Sequence, residues 1–132
     1  MRSRTVRLLL AFIILSVAHV WAAASLKLGA VLPDWSEVRH GTVHSAATRL
    51  VEDYSAQVRH FCVIPEVFLL PSATSIEGGR DAYERFLPTA SRQRLLVDAS
   101  DQRVTMVVIP ASGLEVMSVL ALTGSGVLLI LC

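Results

Sequence analysis

Apolar positions gather into short blocks along this chain, and their spacing predicts alternating strands and helices. Residues 26–32 (LKLGAVL) form a mostly apolar run closed by Pro33 and Asp34, which reads as a first strand buried on both faces. Asp34 or Ser36 is placed to cap the helix that follows. Val43, Ala46, Ala47, Leu50, Val51, Tyr54 and Val58 recur at spacings of three and four, which makes one helical face, with Arg49, Glu52 and Asp53 on the other. Residues 58–71 are extended and apolar, but Pro65 cannot donate to a sheet ladder, so the strand proper is expected at 66–70. A polar loop at 72–79 ends in Gly78 and Gly79. Ala82, Tyr83, Phe86 and Leu87 share a helical face over 81–87, Pro88 breaks it, and residues 92–100 are read as its continuation.

The last third carries the most weight in the expected fold. Residues 104–109 (VTMVVI) are strand-like and run into Pro110, Ala111, Ser112 and Gly113. About ten residues of helical pattern follow, then Gly124, Ser125 and Gly126, then a second apolar run at 127–131. That order predicts a βαβ unit. The whole chain then reads β-α-β-α-β-α-β. The expected class is α/β, a partial doubly wound and mostly parallel sheet with right-handed crossovers.

The N-terminus adds a targeting segment. Arg2, Arg4 and Arg7 precede an apolar stretch at 8–17, and Trp21, Ala22, Ala23 and Ala24 end it with small residues. This is a secretory signal pattern over 1–24, with cleavage after Ala24 or Ala22, and a single domain over 25–132. The expected location is secreted or on the extracellular face of the plasma membrane. A formal net charge of +1 leaves no electrostatic argument for nucleic acid. The sequence contains no Asn, so a secreted product has no N-glycosylation acceptor. Cys62 and Cys132 are the only cysteines. An oxidising compartment permits them to pair, but spacing alone does not decide it.

Two stretches, residues 28–33 and 107–116, resemble the start of a type 1 periplasmic-binding-protein-like domain. This is the ligand-binding region of natriuretic-peptide-type guanylate cyclases and of glutamate and GABA-B receptors. The resemblance lies in a hydrophobic-Gly-hydrophobic-hydrophobic-Pro first strand and in a later strand ending near Pro110 and Ser112. The sequence departs from the pattern at three places. Ile109 stands where Gly usually precedes Pro110, Gly113 occupies the position of the usual Ser, and Leu128 stands where a Pro is usual. The resemblance implies an ectodomain fragment, the first half of one lobe of a clamshell that binds a small molecule or peptide. The remainder of a receptor chain would be its partner. Half a lobe would expose apolar strand edges and be poorly soluble alone.

Candidate chemistry is sparse. If a helix follows Pro110, Ala111, Ser112 and Gly113, its free N–H groups and dipole favour a ligand carboxylate there, with Ser112 adding a hydroxyl; the simpler role for Ser112 is a helix cap. Trp35, just after the first strand, is the candidate wall of a ligand cleft. Glu37, His40 and His44 share spacings of three and four but fall short of a metal-ligand set and read as a solvated face. No phosphate loop, nucleophile elbow or dinucleotide fingerprint is present. The expectation is therefore a non-enzymatic binding module, with no catalytic residue, metal or cofactor. A rival reading takes the uncharged stretch 116–132 as a C-terminal membrane span or the tail of a GPI-anchor signal, which makes the protein a small anchored surface protein.

Overall fold

A computed structural model describes residues 32, 34–110 and 112–132. The signal segment at 1–24 and the expected first strand, apart from Leu32, lie outside the described residues. Residues 34–132 form one compact unit. Its elements are β1 (Ser36–Glu37), α1 (Gly41–Val58), β2 (Glu66–Leu70), α2 (Ile76–Glu84), β3 (Arg92–Asp98), β4 (Gln102–Ile109), β5 (Leu114–Thr123) and β6 (Gly126–Leu131).

The six strands make one sheet in the order β1-β2-β6-β5-β4-β3, and every neighbouring pair is antiparallel. This overturns the expected parallel, doubly wound α/β fold. The links explain why. Gly124 and Ser125 alone separate the paired residues Thr123 and Gly126, and four residues, 99–102, separate the paired Asp98 and Arg103. Such links suit hairpins, whereas a parallel crossover needs a dozen or more residues. The helix expected after Gly113 is β5, and the expected continuation at 92–100 is β3.

Other expectations hold. Helix α1 covers the apolar stripe from Val43 to Val58. Strands β2, β4 and β6 fall on the runs assigned to them. Helix α2 begins earlier than its apolar stripe suggests, because the Ser75 side chain accepts from the Gly78 N–H at 3.1 Å and caps it. Neither Asp34 nor Ser36 caps α1. Its N-cap is His40, without a side-chain bond, and Ser36 lies in β1.

Alternation along the strands divides the core between two faces. Val67, Val104, Met106, Met117, Val119, Ala121, Leu128 and Ile130 pack with Ala47 and Val51 of α1. The intervening positions face the other way, where Gly79 of α2 lies against Val127. The two helices thus cover opposite faces. The central strands β5 and β6 are buried on both sides, and Leu129 and Ile130 have no exposed surface. Each such side chain contributes roughly 1.5–3 kcal/mol by leaving water. Residues 116–132, the supposed membrane tail, are the central hairpin of this sheet. Among the described residues no helix is long and apolar enough to cross a membrane.

Candidate functional site

The residues singled out in the sequence do not converge. Pro110, Ser112 and Gly113 belong to the β4–β5 hairpin loop, and Ala111 lies outside the described residues. Gly113 takes the left-handed conformation there, with φ of 66°, and its N–H bonds Ile109 O at 2.8 Å. The Ser112 hydroxyl accepts from the Leu114 N–H at 3.3 Å. A strand follows, so the helix N-terminus on which the anion argument rested is absent. Trp35 sits at the opposite end of the sheet. Its neighbour Ser36 is in line with Leu69, Leu128 and Ala121, whereas the hairpin loop lies beyond Leu114. At ~3.4 Å per strand residue the two places are roughly 24 Å apart.

Trp35 does wall a groove. About 650 Å³ of space lies between Asp34, Trp35, the stretch from Leu70 to Ser75, and one face of α2. That face presents Ser75, Gly78 and Ala82, then Arg85 and Phe86 just past the helix end. Spacings of three and four put these residues in one row. Gly78 and Ala82 leave the row hollow in the middle. Trp35 is only 7% exposed, and its Nε1 is buried without a hydrogen-bond partner. A buried N–H left unpaired costs about 1–3 kcal/mol, and this one is closed off from solvent. Asp34 and Arg85 are the charged side chains on the groove wall. Arg85 has no ion-pair partner among the described residues, whereas Arg80 on the same helix pairs with Asp81 at 3.0 Å.

A smaller hollow of about 370 Å³ lies at the end of α1, lined by Glu52, Ser55, Ala56, Arg59, His60, Phe61 and Cys62. A disulfide joins Cys62 to Cys132, with the Cα atoms 5.4 Å apart. Cys62 therefore offers no thiol to neighbouring His60. The His60 Nε2 lies 3.0 Å from the Cys132 oxygen, which can only accept, so the ring carries its proton on Nε2. Beside the bridge, Phe61, Val63 and Ile64 stand 86%, 67% and 79% exposed. The disulfide holds this apolar loop against the end of β6.

Glu37 and His40 are spoken for differently from a metal set. The Arg39 guanidinium bonds Glu37 at 2.8 Å and holds its carboxyl below the usual range, while His40 begins α1. Glu66 shifts the other way. Burial raises its carboxyl, and Glu37 diagonally across the β1–β2 pair adds like-charge repulsion.

Of the residues lining this groove, the sequence reading singled out Trp35 and not Arg85, Phe86 or the hydroxyl-bearing stretch from Ser72 to Ser75. A signal existed in the row of Ser75, Gly78, Ala82 and Phe86, which gives a helix face of small residues. It was masked by reading 72–79 as loop.

No protein-family model, curated protein or solved structure matches the chain.

Proposed function

We propose that this protein is an extracytoplasmic, non-catalytic binding module that takes its ligand in the Trp35 groove. One observation carries the reading: Trp35, one face of α2 and the stretch from Leu70 to Ser75 border an open space of about 650 Å³ whose only cationic side chain is Arg85. A groove with an apolar body and a few polar groups is the usual form of a small-molecule site. The disulfide supports an oxidising compartment, as does the signal pattern at 1–24. The receptor resemblance implied a parallel sheet and lends nothing to this reading; the groove stands on its own residues.

The test uses a neutral environment-sensitive apolar dye and the full chain. Saturable dye emission is expected, and Ala82→Leu, which fills the trough from a half-buried helix position, should reduce it at least tenfold. Circular dichroism and the thermal midpoint check that the variant folds. A folded Ala82→Leu chain that binds the dye as well as the parent would remove the groove reading.

A further inference from the structure

We infer that the ligand of this groove is an elongated apolar molecule ending in a carboxylate, with Arg85 pairing the head group. The inference rests on the groove reading above and adds the chemistry of what is bound.

The shape comes from α2. From Ser75 to Arg85 the row runs roughly 15 Å at ~1.5 Å per residue, the length of a medium acyl chain. Gly78 and Ala82 keep the middle of the trough low, since neither has a side chain beyond a methyl group. Leu70, Pro71, Ala73 and Phe86 add apolar surface along it. An apolar chain laid there would exchange water for hydrocarbon on both sides.

The sign of the head group comes from the donors. Arg85 is the one cationic side chain on the groove wall, and no described carboxylate pairs with it. Its planar fork matches a carboxylate in two parallel hydrogen bonds. The hydroxyls of Ser72 and Thr74 can donate as well. Against these stands a single carboxylate, Asp34, on the Trp35 side of the groove. A ligand bearing a cation alone would meet Arg85 as a repulsive charge, and a neutral one would leave it unused.

The test follows Trp35 emission in the full chain carrying Trp21→Phe, so that one indole reports. Decanoate below its micelle concentration is titrated against decanol. The expected result is a saturable shift with decanoate at least tenfold tighter than with decanol. Arg85→Gln should bring the two to similar affinity while leaving the neutral dye bound. If decanol and decanoate bind alike in the parent chain, and Arg85→Gln changes neither, the carboxylate assignment is wrong while the groove survives. If neither perturbs Trp35 and the dye also ignores Ala82→Leu, the groove itself is wrong.

Discussion

Gly79 of α2 rests directly on Val127 of β6: a Cβ added at residue 79 would stand 2.6 Å from the valine Cγ1. Val127 has no exposed surface and cannot swing aside. Gly79→Ala should therefore destabilise the fold, although alanine favours a helix by about 1 kcal/mol over glycine. Overpacking of a tight core costs roughly 1–3 kcal/mol, and so close a contact belongs at the upper end of that range, so the net loss expected is up to about 2 kcal/mol. Gly78→Ala is the control, because its Cβ meets only the Ser75 Oγ, at 3.3 Å. Urea midpoints of the two variants give the comparison. A Gly79→Ala midpoint equal to or above the parent would show that α2 does not dock on β6 as described.

The Cys62–Cys132 bridge closes a loop with a sequence separation of 70 that contains α2 and five of the six strands, β2 to β6. Chain-entropy arguments assign a loop of that length about 4 kcal/mol. Replacing both cysteines with alanine should lower the thermal midpoint by 10 °C or more for a domain of this size, at roughly 4–8 °C per kcal/mol. Scanning with and without a reductant checks it in the unaltered chain. Reduction that leaves the midpoint unchanged would mean that the bridge does not form in solution.

How far the sequence foretold this fold depended on which strands it contained. Helix α1 was legible because one side of it faces water, so its apolar stripe stands out against Arg49, Glu52 and Asp53. Strands β2, β4 and β6 were legible as short apolar runs. Strand β5 was not. Covered by a helix on each face of the sheet, it buries Val116, Met117, Val119, Leu120 and Ala121 alike, so the alternation of a half-exposed strand is lost. What remains is a run rich in Leu, Met and Ala that also suits a helix. The signal that would have decided it lay in the links. Gly124 and Ser125 form a two-residue hairpin turn, which cannot carry a crossover, and once read as a break it left the sheet parallel. The groove was half legible for a related reason. Trp35 stands out in any sequence, but Arg85 matters only through its place in the row that begins at Ser75.

Glu66 should make the protein slightly less stable at neutral pH than it would be with a neutral side chain there. Burial, with Glu37 nearby, raises its carboxyl above the ordinary value of 4.5. A raised carboxyl adds stability that is complete below the ordinary value and is lost as pH rises through the folded one. Glu66→Gln should therefore raise the denaturation midpoint at pH 7, and the gain should vanish below about pH 4. Partial exposure keeps the effect small. A gain that persists unchanged at pH 3.5 would point to a cause other than charge.

Tyr83 sets the alkaline limit. Its ring packs beneath α2 and is 3% exposed, and burial pushes its hydroxyl up from 10.0 to about 12. The Ser118 hydroxyl nearby opposes the rise, but Ser118 donates to Thr105 O at 3.3 Å, and the Tyr83 oxygen has no partner within hydrogen-bonding geometry. The neutral phenol is therefore the form that the fold holds. Its contribution is present in full below pH 10 and is lost as pH rises through 12, with about two units corresponding to on the order of 2–3 kcal/mol. Absorbance at 295 nm in a Tyr54→Phe chain should show Tyr83 ionising near pH 12, together with loss of structure. Tyr83→Phe removes the unpaired oxygen and keeps the ring. It should match or exceed the parent's stability at pH 7 and flatten the decline between pH 10 and 12. A Tyr83 that ionises at pH 10 while the sheet stays folded would show that the hydroxyl reaches water, and α2 would then sit more loosely on β5 than its contacts imply.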